Sequence, residues 1–405
     1  MKNITFITTG QPTTNPRLVK EAETLHRLGY SVKVICCFYQ KWAQKPDEVL
    51  TSKYPGMYIY CGGDPVEQKA AYIKTRIRQK INTLLFKYTH HFSVPENAIS
   101  RTHIDALAIA KTIKTNIYIA HNLGALPAAV LAAKHTNAKV GYDAEDMHSG
   151  QFTSANDESY RLNKYIEEKY FEQVDYFTSA SPLIAQYYKH EYNYLKPVVV
   201  NNVFPKTMLN ISPNYNSREP LKLFWFSQTV GPERGLEDII KAIAATERNV
   251  QLHLLGNCNE SYKAALLGLA NEFKLSPDQL LFHKPVGADE VFNFTNRFDI
   301  GMATETGIPL NRDICLTNKI FTYIQCGLAM IVSDTQAQSL FMEQYPGTGK
   351  LYNKSNFQSL TDCISFYLQN PDVLYQTRMQ NYQLGQTELN WETESHIFSN
   401  IVKNL

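Results

Sequence analysis

Several short strings in this chain carry side chains whose types and spacing suit the holding of a phosphate or a sugar. In Leu316-Thr317-Asn318-Lys319-Ile320-Phe321 a polar loop runs into a helical segment that Gly327 ends. Loop amides, a helix N-terminus and the Lys319 ammonium then converge, as a bound diphosphate requires. An ordinary capped helix has the same composition, so this string alone decides nothing. In Ser227-Gln228-Thr229-Val230-Gly231-Pro232-Glu233-Arg234-Gly235, Arg234 can pair with a diphosphate and Gly235 admits a close backbone approach. Gly10, with Gln11, Thr13, Thr14, Asn15 and Arg17, forms a polar loop at a helix start and can come near a phosphate or a sugar. It lacks the three-glycine dinucleotide fingerprint. His121-Asn122 and Asp143-Ala144-Glu145-Asp146-Met147-His148 each follow an apolar run directly. Histidine and carboxylates at strand ends suit sugar binding and acid/base work; capping Asp and Asn beside a surface His is the plainer alternative. Glu305 is a single carboxylate in a loop with Gly307 and Pro309, and by itself reads as a solvated charge.

The elements that must position these groups are those of an α/β protein. Strands are predicted over residues 4–8, 31–38, 116–120, 138–143, 175–180 and 197–200, with helices over 16–28, 126–134 and 160–173 between them. Residues 201–219 are rich in Pro, Ser and Asn without periodicity and read as a linker. A second series follows, with strands over 221–227, 250–255, 280–283, 298–303 and 328–333 and a helix over 236–245. Such alternation implies two doubly wound halves, each with a parallel sheet. Ligands of such sheets bind outside the carboxyl ends of the strands, which here implies a cleft between the halves.

Length and composition narrow the function classes. A chain of 405 residues is long for one core, and 44% hydrophobic content is ample for two. A net charge of +2 argues against a general nucleic-acid binder. The seven cysteines have no metal-ligand spacing and fit a reducing cytosol. No signal peptide and no membrane span is legible, so a cytoplasmic protein is expected. There is no zinc cluster, no G-x-S-x-G and no P-loop. An Asp-x-Asp pair that would hold a metal-bound nucleotide sugar is also missing, which implies chemistry without a metal. Residues 68–91 contain no acidic residue, but carry Lys69, Lys74, Arg76, Arg78, Lys80 and Lys87 beside a stripe of Ile73, Ile77, Ile81, Leu84, Leu85 and Tyr88. Two readings stand: a basic amphipathic helix lying on an anionic membrane surface, or a core-packed helix with a solvated basic face.

Taken in order, the strings resemble a known family. The segments TTGQPTTNPRLVKEAETLHRLGYSVKVI, YIAHNLGALPAAVLAAK, VGYDAED, FSQTVGPERGLEDII and LTNKIFTYIQCGLAMIVSD are similar to the successive motifs of glycosyltransferases of the GT-B fold, specifically family four. The resemblance implies a Rossmann-like acceptor-binding domain over 1–205 and a Rossmann-like donor domain over 206–385. Residues 386–405 would form a C-terminal helix crossing back to the first domain. It implies retaining, metal-independent transfer from a nucleoside-diphosphate sugar, of UDP or GDP type, to a glycan or lipid-linked acceptor of surface polysaccharide assembly. No cofactor beyond the donor substrate is implied. His121 matches the histidine that meets the transferred sugar, and Glu305 the first Glu of the family's Glu-x7-Glu motif; both are expected to be catalytic. Gly10, Gln228, Arg234, Asn318, Lys319 and Thr322 would bind the donor, and Asn15, Arg17, Asp143, Glu145 and Asp146 the acceptor. Three departures stand out: Thr322 occupies the place of a ribose-binding Glu, the stretch between Glu305 and that place is longer than the motif has, and Gln228 occupies the place of an arginine. The alternatives are an epimerase or hydrolase of the same fold that turns over its donor alone, and a non-catalytic sugar- or membrane-binding partner.

Overall fold

The computed structural model describes residues 2–89, 94–209, 220–246, 249–287 and 290–405. Most of the linker's second half, residues 210–219, and the end of the basic segment, residues 90–91, lie outside the described residues. The chain divides into two compact units. One comprises Met1–Asn201, Pro309–Asn311 and Ser395–Leu405; the other comprises Asn202–Ile308 and Arg312–Glu394.

The first unit is built on strands β1 (Asn3–Thr8), β2 (Ser31–Cys37), β3 (Tyr58–Cys61), β4 (Ile117–His121), β5 (Lys139–Ala144), β6 (Tyr176–Ser179) and β7 (Pro197–Val199). They lie in the order β3-β2-β1-β4-β5-β6-β7. The second unit holds β8 (Leu221–Val230), β9 (Val250–Cys258), β10 (Leu280–His283), β11 (Ile300–Ala303), β12 (Ala329–Ser333) and β13 (Gly349–Tyr352), in the order β10-β9-β8-β11-β12-β13. Every pairing is parallel. Helices cover both faces of such sheets, so the central strands are apolar almost throughout: β1 is buried from Ile4 onward and β12 along its whole length. Strand order reverses between β1 and β4 in one sheet and between β8 and β11 in the other. These are the points where a doubly wound sheet leaves a crevice at its strand ends.

Local signals explain most boundaries. The helix Pro16–Arg27 begins where the Asn15 side chain accepts from Leu18 N at 3.0 Å and Pro16 supplies a preset first position. Shortly after its end comes Gly29, with φ of +87°. The helix predicted from residue 160 starts earlier, at Glu158, because the Asp157 carboxylate accepts from the amides of Ser159 and Tyr160. Strand β8 runs past its predicted end to Val230, so Gln228 lies within the strand, beside an irregularity in its pairing with β9. The edge strands β3 and β13 were not predicted; each spans four residues with only its last fully buried, too short to show a period.

One close approach fixes the donor-side helix Asn318–Gln325 on its sheet. Tyr323 is fully buried, and its hydroxyl shares its one proton between Met302 O at 3.0 Å and Phe224 O at 3.2 Å. That joins the helix to β8 and β11 together. The ring lies where Gly301 leaves room: a Cβ there would sit 2.2 Å from Tyr323 Cγ. Gly301→Ala should therefore destabilise the chain by about 1–3 kcal/mol in urea unfolding, through overpacking. A change within experimental error would mean that the helix is not held by this contact.

Candidate functional site

In the second unit the predicted residues gather at the reversal between β8 and β11. Glu305 follows β11 and is 3% exposed, with an oxygen 2.6 Å from Lys319 Nζ. The Lys319 ammonium, also buried, lies 5.2 Å from the centre of the Trp225 ring of β8. Burial works against the Glu305 charge, but the Lys319 charge and hydrogen bond, with the Arg234 and Arg312 charges, hold its pKa below the usual value. Ser333 Oγ at the end of β12 donates to Glu305 O at 2.7 Å, and Thr304 Oγ1 donates to Arg234 O at 2.6 Å. The loops after β8, β11 and β12 are thereby tied together. Gly235 has φ of +70°, and a Cβ there would meet Thr304 O at 2.7 Å, so this turn requires glycine. Among the described residues the half-buried Arg234 guanidinium has no hydrogen bond or ion pair, whereas Arg312 Nη1 donates to Glu233 O at 3.1 Å.

The first turn of Asn318–Gln325 is open. Its N-cap Thr317 makes no side-chain capping bond, and its hydroxyl oxygen is buried without a hydrogen-bond partner. No acidic residue sits in that turn. Asn318 is exposed and accepts from Asn202 Nδ2 at 2.9 Å. Thr322, in contrast, is 1% exposed and turns its hydroxyl back to Asn318 O at 2.9 Å. A threonine here closes on its own helix where a longer carboxylate would extend outward. Gln228 is exposed near the end of β8.

In the first unit the predicted residues separate into a buried cluster and a cavity lining. His121, Asp143, Arg17 and Glu21 are all at most 1% exposed. Arg17 Nε and Nη2 donate to the two Asp143 oxygens at 2.6 and 2.7 Å, and Nη1 donates to Val200 O at 2.6 Å. The His121 ring lies between Glu145 Oε1, 2.9 Å from Nδ1, and Glu21 Oε2, 3.0 Å from Nε2. In this arrangement neither ring nitrogen is free. Burial alone would depress the His121 pKa, but the charge of Glu21 and hydrogen bonds to Glu145 and Glu21 outweigh it and push the pKa up to about 10. The same residue set Glu21, His121 and Asp143 has the spacing to hold a metal ion. Here Arg17 and the imidazolium already supply the positive charge that these carboxylates need.

Asn15 Nδ2 donates to Glu145 Oε1 at 2.5 Å, and both residues line a cavity of about 480 Å³ with Gly10, Tyr39, Asn122 and Asp146. The cavity opens at the ends of β1, β4 and β5. Its amide, carboxylate and phenol groups are of the kinds that hydrogen-bond hydroxyl groups. Two residues were given no role from sequence, although His148 ends the acidic string that begins at Asp143. Arg312 lies in the five-residue helix Leu310–Ile314, with no strand end beside it to mark it. His148 lines the cavity with a buried Nε2 that has no hydrogen-bond partner, and burial pulls its pKa down. It stands in the same acidic string as Glu145, which is the signal that marks it.

The raised pKa of His121 has a consequence for stability. Protonation of the folded ring is favoured between its unfolded value near 6.5 and about 10, so its contribution is complete below pH 6.5 and lost as pH rises through 10. Burial beside Arg17 lowers the Lys20 pKa to about 7, which acts with the opposite sign over part of this window. The clean readout is thus the difference from His121→Gln. The stability gap between the two chains in urea should be widest at pH 6 and close toward pH 10; a gap independent of pH would show that the ring is neutral.

No protein-family model and no curated protein matches the chain. Solved structures do. The chain is similar to sucrose-phosphate synthase from Thermosynechococcus elongatus, with 14% identity, a TM-score of 0.71, and coverage of 100% of this chain and 99% of that one. It is similar to Anabaena HepE in complex with UDP, with 13% identity, a TM-score of 0.70, and full coverage of both chains. The lipopolysaccharide outer core galactosyltransferase WaaB matches with 13% identity, a TM-score of 0.62, and full coverage of both. These likenesses establish the GT-B fold for the chain.

Proposed function

We propose that the chain is a glycosyltransferase that moves a sugar from a nucleoside-diphosphate sugar, held by the second unit, to a glycan or lipid-linked acceptor held by the first. One observation carries this reading: Lys319, Arg234 and Arg312 all act on the buried Glu305 at the strand-order reversal beside an uncapped helix start. Of these three cations Arg234 is the one without a hydrogen bond or ion pair among the described residues, and with Asn318 and the first-turn amides it suits a diphosphate. The complexes of HepE with UDP and with UDP-glucose make a UDP-sugar the first donor to try.

In this reading the bond between the anomeric carbon and the diphosphate oxygen breaks, and an acceptor hydroxyl forms the new bond on the same face of the sugar. The departing diphosphate takes the acceptor's proton, and its growing charge is met by Arg234, Lys319 and the helix amides. These fixed cations do the electrostatic work, so no metal is required in the scheme. Glu305 holds Lys319 in place. His121, clamped by Glu21 and Glu145, acts as a positioning residue that sets Glu145 and Asn15 on the cavity wall, while His148 and Asp146 face the acceptor. Surface polysaccharide assembly is the setting that such an acceptor implies.

Calorimetric titration with UDP and GDP tests the donor site. One of them should bind, and Arg234→Ala should weaken it by about 1.5–3 kcal/mol, roughly 10- to 150-fold. Lys319→Ala should weaken it similarly and also lower stability, because Glu305 is left buried without its partner. Absence of binding to either nucleotide would favour a non-catalytic partner. Rapid turnover of a nucleotide sugar without acceptor would favour an epimerase or hydrolase.

A further inference from the structure

The basic helix Lys69–Thr89 is attached to its unit the wrong way round for a soluble surface helix. Its anchored face is largely polar. Gln79 Nε2 donates to Ala98 O at 3.1 Å, Arg78 Nη2 to Asp105 at 2.5 Å and Arg101 O at 2.8 Å, and Asn82 Oδ1 accepts from Val94 N at 2.9 Å. Thr75 and Phe86 are buried on that side. The apolar stripe points away from the unit: Ile73, Ile77, Ile81, Leu84 and Tyr88 are 45, 54, 51, 47 and 72% exposed. At about 100° per residue these five fall within an arc of roughly 80°. The charged positions Lys69, Arg76, Lys80 and Lys87 run along one flank of the arc and Lys74 along the other. Among the described residues Lys69, Lys74, Arg76 and Lys80 have no acidic partner, while Lys87 pairs with Glu158 at 2.7 Å.

A continuous apolar stripe in water is a docking surface, since amphipathic helices otherwise turn that face inward. We propose that this helix lies in the interface of an anionic lipid bilayer, with the isoleucines, Leu84 and Tyr88 among the acyl chains and the flanking lysines and Arg76 at the phosphates. The charge decides the occupant. A second copy docking face to face would set two uninterrupted basic flanks against one another, whereas an anionic bilayer offers apolar depth and negative charge together. The position also fits a lipid-linked acceptor, a point that rests on the acceptor reading above. The helix is fixed to Ala98, and the next residue, Ile99, lines the cavity that carries Asn15 and Glu145. Docking would hold that cavity near the headgroup layer.

Vesicle co-sedimentation tests this with the full chain, using phosphatidylcholine vesicles and mixed phosphatidylcholine–phosphatidylglycerol vesicles. The chain should pellet with the mixed vesicles, far less with phosphatidylcholine alone, and less again as salt rises. Ile77→Asp with Ile81→Asp should abolish pelleting. Lys74→Gln and Lys80→Gln should each weaken it about fivefold. All four positions are exposed, and nucleotide titration of each variant reports separately on the donor reading. Equal binding to both vesicle types, or binding that survives the Asp variants, would overturn the proposal. So would a dimer in light scattering that the Asp variants convert to monomer.

Discussion

The ion pair between Glu305 and Lys319 is the interaction on which the candidate donor site depends. A carboxylate and an ammonium that are both nearly inaccessible must compensate one another, because either alone would be costly to bury. Their contact joins the loop after β11 to the first turn of the helix Asn318–Gln325, while Tyr323 fastens the same helix to β8 and β11. The helix start is therefore fixed in place before any ligand arrives. A rigid cradle of cations and amides costs little reorganisation when a diphosphate binds, and less when its charge grows.

The first unit solves a related problem with more charges. Arg17 and Glu21 come from a helix, Asp143 and His121 from strand ends, and all are sealed from water. Two cations and several carboxylates form a network in which each group orients the next: Arg17 grips Asp143, and His121 bridges Glu21 to Glu145. Only the outer member, Glu145, reaches the cavity, where it is shared with Asn15. The buried network thus sets the cavity wall without forming part of it.

Much of this was legible from residue order, because strand-helix alternation and helix stops are local. Asn15-Pro16 announces its helix through capping chemistry, and Thr317-Asn318 precedes one whose start stays open. Pairings distant in sequence were not legible. Nothing local says that Lys319 is engaged by Glu305, or that His121 spends both nitrogens on carboxylates. Thr322 could be seen to lack a carboxylate, but its turn back onto Asn318 O depends on the helix geometry. The apolar stripe at Ile73, Ile77 and Ile81 was plain in the sequence, yet its direction was not. A periodic stripe has the same spacing whether it faces a core or solvent, and only the polar contacts of Arg78, Gln79 and Asn82 show that it faces away from its unit.

The central claim is that the second unit holds a nucleoside diphosphate at the reversal between β8 and β11. A crystal structure obtained with UDP, and in parallel with GDP, addresses it most directly. The account predicts the phosphates on the first turn of Asn318–Gln325, within hydrogen-bond reach of Arg234 or Lys319. A nucleotide bound at any other place on the chain, or phosphates turned away from that turn, would contradict it.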